Sequence, residues 1–147
     1  MSRKQQGSAN WHKAKAKLAK LYARISNIRR DALHQLTSDL TRRFSTIGIE
    51  DLNVKGMLSN GKLARHIADM GFYEFKRQLE YKAPMRGNLI MVADRWYPSA
   101  KTGSTGGAIK LELTLKDRIF KCECGHTQDH DLNAAINLTH YAVSYAV

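Results

Sequence analysis

Three acidic residues have the types and positions needed for metal-dependent chemistry. Asp129 and Asp131 lie one residue apart where a helix is predicted to begin, because apolar residues recur at helical spacing from there on. Glu50 ends a short predicted strand, and α/β folds place chemistry at such strand ends. Phosphodiester cleavage by two Mg²⁺ ions needs several converging carboxylates, since hard cations prefer oxygen ligands. These three acids are therefore the candidate catalytic residues. The structural alternative is a helix cap at Asp129 and a helix-dipole role for Asp131.

Cys122 and Cys124 form a second group with metal-binding chemistry. A closed structural zinc site requires four nitrogen or sulfur ligands, commonly from two knuckles. His126 and His130 could add ligands, but four ligands within nine residues would make a cramped cage. The favoured interpretation is two ordinary thiols in a small hairpin, and zinc coordination by Cys122 and Cys124 is the alternative.

Positive charge is concentrated in the first 43 residues, which hold eleven basic residues and two acids. An apolar stripe runs through them at three- and four-residue steps, and it predicts one long amphipathic helix from about residue 10 to residue 43. The stripe consists of Leu18, Leu21, Ile25, Ile28, Ala32, Leu36 and Leu40. The shortage of acids favours a phosphate-contacting surface over a solvated helix face. The candidate nucleic-acid contacts are Lys13, Lys15, Lys17, Lys20, Arg24, Arg29 and Arg30.

The rest of the chain alternates predicted strands and helices. Up to residue 93 we expect a short strand at 45–52, loops at 53–56 and 59–61, a core-packing helix from Lys62 to Lys82 ended by Pro84, and a strand at 88–93 buried on both faces. Beyond it we expect a flexible glycine-rich loop at 102–107, a half-buried strand at 109–115 turning into a hairpin with 118–122, and a helix from Asp129 to Val143. Trp96 and Tyr97 are predicted to be core or rim aromatics, with base stacking as the alternative.

Size and composition limit the class of protein. A chain of 147 residues is long enough for one compact domain. Its formal net charge of +11 indicates a polyanionic partner, with nucleic acid favoured over anionic lipid. No apolar run approaches the roughly 20 residues needed to span a bilayer, and the polar N-terminus lacks a signal-peptide core. We therefore expect a soluble, cytoplasmic protein with no membrane partner.

Five segments, in this order, resemble the OrfB/TnpB family of insertion-sequence proteins, which are called transposases and are related to type V CRISPR nucleases. The segments are Ile49 to Met57, Arg77 to Lys82, Pro98 to Thr102, Cys124-Gly125 and Asp129 to Ala135. The resemblance covers essentially the whole chain, but only the C-terminal part of a family member.

The resemblance implies an α/β fold with a RuvC-like, RNase H-type nuclease core interrupted by a zinc ribbon. It also implies RNA-guided, Mg²⁺-dependent DNA cleavage by three acids, with DNA and a guide RNA as partners. Glu50 resembles the second acid, and Asp131, with Asp129 beside it, resembles the third. The core is expected at residues 1–97 and 127–147, and the ribbon insertion at 98–126.

The chain departs from the family pattern in two places. The first acid is expected on a strand upstream of the basic helix, before this chain starts, and Gly103 to Gly106 stand where the first Cys-x-x-Cys is expected. We therefore expect an incomplete RuvC-like core with a long N-terminal basic helix and a degenerate zinc-ribbon hairpin insertion. Such a remnant would bind nucleic acid and be catalytically silent alone. The alternatives are a non-catalytic DNA- or RNA-binding regulator and a C-terminal half that completes a nuclease in trans with an N-terminal half or a second copy.

Overall fold

The computed structural model describes residues 3–110, 112–113, 117–122 and 125–145. Helices and strands alternate along them. In chain order they are α1 (Ala9–Arg43), β1 (Thr46–Glu50), α2 (Val54–Leu58), α3 (Ala64–Met70), α4 (Phe72–Met85), β2 (Leu89–Ala93), β3 (Ile119–Lys121), β4 (Thr127–Asp129) and α5 (His130–Tyr145). β1 pairs with β2 in parallel, and β3 pairs with β4 in antiparallel fashion. None of the helices in the described ranges is long and apolar enough to cross a membrane.

α1 is the long basic helix that the sequence predicts. Ser8 caps it by accepting a hydrogen bond from the Trp11 backbone N–H at 3.2 Å. The predicted apolar stripe is not its buried face, since Leu21 is 53% exposed and Ile28 is 58% exposed. Packing is confined to the C-terminal part of the helix, where the buried side chains are threonines rather than the aliphatic residues of the stripe.

α1 and α4 are joined by a polar contact. The Lys82 amine of α4 donates hydrogen bonds to the His34 carbonyl at 2.8 Å, the Thr37 hydroxyl at 2.7 Å and the Ser38 hydroxyl at 2.9 Å. Removal of this amine from water lowers the pKa of Lys82. Thr37 is fully buried beside Gln78 of α4, and their side-chain oxygens lie 2.9 Å apart. Buried hydrogen bonds therefore form part of the contact between these helices.

The helix predicted from Lys62 to Lys82 is in fact two helices. Gly71 has φ +71° and separates α3 from α4, although the predicted helix runs through it. Pro84 lies in the last turn of α4, and the helix ends one residue after it, at Met85, close to the predicted end. The loop predicted at 53–56 is also wrong. Asn53 accepts a hydrogen bond from the Gly56 backbone N–H at 3.0 Å and so caps α2.

α5 packs closely on the β1–β2 pair. The approach is tight at Gly48, where an added Cβ would lie 2.7 Å from the Leu138 carbonyl oxygen and 3.1 Å from the Ala142 Cβ. β2 is not buried on both faces as predicted, since Leu89 is 46% exposed and Val92 is 40% exposed. The reason is that a two-stranded sheet presents more surface than its neighbours α4 and α5 cover.

β3 and β4 form an antiparallel hairpin, with Ile119 opposite Asp129, which the sequence did not predict. Residues 111, 114 and 115 of the strand predicted at 109–115 lie outside the described residues. The others form only an isolated bridge between Ile109 and Thr102. The glycine-rich loop is a hydrogen-bonded turn, in which Gly103 donates to the Ala108 carbonyl at 2.8 Å.

α5 begins where the sequence predicts. Asp129 Oδ1 accepts hydrogen bonds from the backbone N–H groups of Asp131 and Leu132, both at 3.0 Å, so the predicted N-cap is confirmed. The face that contains Leu132 is not the buried one, because Leu132 is 52% exposed while Asn133 and Asn137 are 0% and 3% exposed. α5 thus turns its asparagines inward.

Candidate functional site

Glu50 lies at the carboxyl end of β1, opposite Ala93 of β2. Its side chain is exposed, and its Oε1 accepts a hydrogen bond from the Ser99 hydroxyl at 2.6 Å. Ser99 is only 4% exposed. Glu50 Oε2 has no hydrogen-bond partner among the residues that the structure describes. One carboxylate oxygen is thus fixed by the protein, and the other is open to a ligand.

The neighbouring acid, Asp51, has a structural role. Its Oδ2 lies 2.6 Å from Arg95 and its Oδ1 lies 3.5 Å from Lys76. The hydrogen bond from Arg95 is the main cause that holds the pKa of Asp51 below its ordinary value. Because both oxygens face cations, Asp51 ties the end of β1 to α4 and to the segment after β2. Glu50 is therefore the acid at this strand end that is available for chemistry.

Two buried asparagines of α5 hold the loop that presents Ser99. Asn137 Nδ2 donates to the Ser99 carbonyl at 2.8 Å and to the Thr102 carbonyl at 2.6 Å. Asn133, one turn earlier, donates to the Thr102 carbonyl at 2.7 Å and accepts from the Ser104 backbone N–H at 2.9 Å. Residues four apart share one helix face, so a single face of α5 fixes this loop.

Asp131 lies in the first turn of α5 with its side chain 84% exposed. Its Oδ1 is 3.8 Å from His130 Nδ1. Asp129 Oδ1 caps the helix, and no hydrogen bond joins Asp129 to Glu50. Within the described ranges, no three His, Cys, Asp or Glu side chains are placed to hold one metal ion. The structure therefore connects Glu50 to the helix that carries Asp131 through Ser99 and Asn137, but it does not bring the predicted acids into contact.

These acids match the chemistry of Mg²⁺ in kind. Glu50 and Asp131 offer exposed carboxylate oxygens, which are the ligands that this ion prefers. They would hold it through part of its coordination shell, and water or other groups would supply the rest.

Zinc coordination at the hairpin has few available nitrogen and sulfur ligands among the described residues. Cys122 is half-buried beside the hairpin, and Cys124 lies outside the described residues. His126 Nε2 lies 3.1 Å from the side-chain oxygen of Gln128, so that nitrogen already has a hydrogen-bond partner. His130 Nε2 is buried without one.

The cationic residues of α1 form an exposed face. Lys13, Lys17, Lys20 and Arg24 follow one another at four- and three-residue steps, and all are exposed. With a rise of 1.5 Å per residue, this row is about 17 Å long. Of the seven predicted contacts, Arg29 alone makes an ion pair with a described residue, at 2.5 Å from Asp69 of α3. The row therefore carries uncompensated positive charge.

Sequence reasoning missed Ser99, Asn133 and Asn137. A signal for the asparagines was present, since two amides four residues apart in a predicted apolar helix would be costly to bury without partners. Ser99 has no such local signal, because its partner Glu50 is 49 residues away in the chain.

Comparison with solved structures defines the fold. A chain of the cryo-EM structure of the Cas12f1–sgRNA–target DNA complex superposes with a TM-score of 0.67 at 20% sequence identity. The match covers 85% of this chain and 37% of that chain. The protein thus has a mixed helix and sheet architecture that resembles part of the Cas12f1 fold.

Sequence comparisons give the family. The family model OrfB_IS605, described as "Probable transposase", matches residues 1–61, and the model "Cas12f1-like, TNB domain" matches residues 72–138. A Streptomyces pristinaespiralis protein named "Putative RNA-guided DNA endonuclease" is 46% identical over 94% of this chain and 34% of its own length. The Escherichia coli protein of the same description, InsQ, is 36% identical over 94% of this chain and 38% of its own length.

A more distant relative extends the same pattern. A TnpB-like protein of Acanthamoeba polyphaga mimivirus is 33% identical over 82% of this chain and 24% of its own length. The chain belongs to the OrfB/TnpB family of transposases. It spans about a third of the length of the two bacterial relatives.

Proposed function

We propose that this chain is the part of a transposon-encoded, RNA-guided DNA endonuclease that supplies two metal-binding acids and a nucleic-acid-binding helix. The observation that carries the proposal is the Glu50 carboxylate, which is exposed at a parallel strand end with one oxygen fixed and one open. Residues 1–97 and 127–147 would belong to a RuvC-like core, and residues 98–126 to a degenerate ribbon.

The proposed roles follow from what each side chain can donate. Bound Mg²⁺ would polarise the scissile phosphate and activate water. Glu50 would offer its open oxygen to the ion, and Asp131 would offer a second carboxylate from the first turn of α5. Asp129 would keep that turn in place, since it caps the helix.

The proposed partners are DNA and a guide RNA. The names of the bacterial relatives refer to RNA-guided DNA cleavage, and the superposed Cas12f1 structure contains sgRNA and target DNA. The exposed cationic row on α1 supports phosphate contacts by this chain. Each phosphate neutralised changes the slope of log affinity against log salt by about −0.9 for duplex DNA and about −0.7 for single strands.

We further propose that these 147 residues do not cleave DNA on their own. Cleavage in this family is expected to need three acids, and the described residues bring no three potential ligands together. Removal of a group that acts only as part of a set abolishes most of the rate.

Binding is tested by fluorescence anisotropy of labelled duplex DNA and RNA over a range of salt concentrations. The triple variant Lys13→Gln, Lys17→Gln, Lys20→Gln should lower affinity at least tenfold and reduce the slope by about 2 to 3. The matched control is Lys55→Gln, Lys62→Gln, Lys110→Gln, which removes the same charge from exposed positions elsewhere. Equal losses in both triples would show that net charge, and not the face of α1, controls binding.

The proposed lack of cleavage is tested by incubating the purified chain with duplex and single-stranded DNA and Mg²⁺. We expect no products. Cutting that disappears in Glu50→Gln or Asp131→Asn would overturn this part of the proposal and support the assigned acids.

A non-catalytic nucleic-acid-binding regulator is the second candidate. It is favoured by the structural use of two of the three acids, because Asp129 caps α5 and Glu50 accepts from Ser99. In that case binding would be indifferent to Mg²⁺ and to substitution of Glu50 or Asp131. A half that acts in trans would instead gain Mg²⁺-dependent cleavage when a polypeptide with the first acid is added.

A further inference from the structure

We infer that Ser99 is a positioning residue for Glu50, with Asn137 holding Ser99 in place. The inference deepens the proposed function and rests on the role of Glu50 as a metal ligand. The inference assigns a role to the loop between β2 and β3 that is not evident from the sequence of the loop.

Ser99 is held at each of its polar groups. Its hydroxyl donates to Glu50 Oε1 at 2.6 Å, its backbone N–H donates to the Tyr97 carbonyl at 2.8 Å, and its carbonyl accepts from Asn137 at 2.8 Å. At 4% exposure the hydroxyl is shielded from water that could replace the carboxylate. A hydrogen bond to an ionised acceptor is among the stronger ones in proteins.

The consequence concerns the geometry of Glu50. An exposed glutamate samples many rotamers, and a metal ion must select one of them. A hydroxyl that fixes Oε1 reduces this freedom and leaves Oε2 as the oxygen directed at a ligand. Groups that orient a metal ligand in this way typically contribute 10- to 100-fold to metal affinity.

The support extends into α5. The Asn137 amide also donates to the Thr102 carbonyl, as does Asn133, so one helix holds the loop at Ser99 and again three residues later. That helix carries Asp131 in its first turn. α5 therefore holds Ser99, which positions the proposed ligand Glu50, and it also carries the other proposed ligand, Asp131.

The experiment uses Mn²⁺ as a paramagnetic probe of the 15N-labelled chain. Broadening of the backbone amide signals of residues 49–51 reports ion binding at Glu50, and its concentration dependence gives an apparent Kd. Glu50→Gln should abolish the broadening. Ser99→Ala should raise the Kd about tenfold, and Ser99→Thr, which keeps the hydroxyl, should return it to within about threefold of wild type.

Ser104→Ala is the matched control, because its hydroxyl lies in the same loop but donates to Gln128 at 2.9 Å. It should leave the Kd unchanged. A Ser104→Ala effect as large as that of Ser99→Ala would mean general damage to the loop and would overturn the inference. With the chain labelled with 13C as well, the 13Cδ shift of Glu50 gives a second readout, and it should move in Ser99→Ala without loss of the native amide spectrum.

Different results would contradict the metal role of Glu50 and the positioning role of Ser99. If wild type shows no broadening at residues 49–51, the metal role of Glu50 is wrong and the positioning role falls with it. If Glu50→Gln abolishes the broadening but Ser99→Ala stays within twofold of wild type, Glu50 is a ligand and Ser99 does not position it. An unchanged Glu50 13Cδ shift in folded Ser99→Ala also contradicts the inference. If Ser99→Thr fails to fold, this 13Cδ shift decides between the two outcomes.

Discussion

Asn137→Ala should be among the more destabilising single substitutions in α5. The Asn137 amide is 3% exposed and donates two hydrogen bonds, to the Ser99 and Thr102 carbonyls. After substitution the Thr102 carbonyl keeps its bond from Asn133 at 2.7 Å. The Ser99 carbonyl loses the bond that Asn137 provides.

The magnitude follows from these contacts. Two hydrogen bonds contribute about 2 kcal/mol, and one buried carbonyl left without a partner costs about 1 to 2 kcal/mol more. The higher helix propensity of alanine returns roughly 0.5 kcal/mol. The free energy of unfolding should therefore fall by about 3 kcal/mol. Asn137→Asp should be at least as severe, because it places a carboxylate against two carbonyl oxygens.

Urea unfolding followed by far-UV circular dichroism measures this change, provided that the transition is two-state. Thr139→Ala is the control, since Thr139 is exposed on the same helix and bonds only to the Ala135 carbonyl of α5. Its effect should stay within about 0.5 kcal/mol. A loss below about 1 kcal/mol in Asn137→Ala, equal to that of the control, would refute the view that buried amides secure the loop.

Two further predictions concern the sheet and α4. Gly48→Ala should destabilise the fold by about 1 to 3 kcal/mol through overpacking, because the new Cβ meets the Leu138 carbonyl oxygen, while Gly61→Ala, in open space, should be neutral or slightly stabilising. Glu74→Gln should lower stability at neutral pH, since the hydrogen bond from Arg77 lowers the pKa of Glu74 to about 2. The contribution is present above the ordinary pKa of 4.5 and is lost as the pH falls through about 2. It is about 1 kcal/mol once solvent screening of the half-exposed Arg77 is allowed for.

The same urea titrations decide both. Equal effects of alanine at Gly48 and Gly61 would contradict the close approach of α5 to β1. A stability difference between wild type and Glu74→Gln that stays constant from pH 6 to pH 3 would contradict the assigned cause of the pKa shift.

Elements whose signals are local could be predicted from the sequence. α1 has 35 residues of helical periodicity, and the start of α5 was evident because an aspartate precedes an apolar helix. Gly71 was misjudged, since a glycine fits an apolar spacing pattern equally well as a small helical residue or as a left-handed helix end. The pattern alone does not contain the backbone conformation that separates these two uses.

The buried face of α5 shows why side-chain packing was harder to predict. Hydrophobicity favoured the face with Leu132, but the partners of α5 include carbonyls of the loop after β2, and carbonyls require donors. Asn133 and Asn137 provide those donors across sequence separations of 31 to 38 residues. The position of Glu50 at a strand end was predictable from its own neighbours, whereas its support by Ser99 depends on that distant packing.

The packing of α1 also bears on how strongly its first half is ordered. The side chains of its first half are almost all exposed, so this half lacks the tertiary packing from which most helices in proteins gain their stability. Like charges four residues apart, at Lys13 and Lys17 and again at Lys20 and Arg24, repel each other by a few tenths of a kcal/mol per pair. A polyanion on this row would remove that repulsion. If a polyanion binds this row as proposed, binding and helix formation would be coupled, and added salt would stabilise the free helix while it weakens the complex.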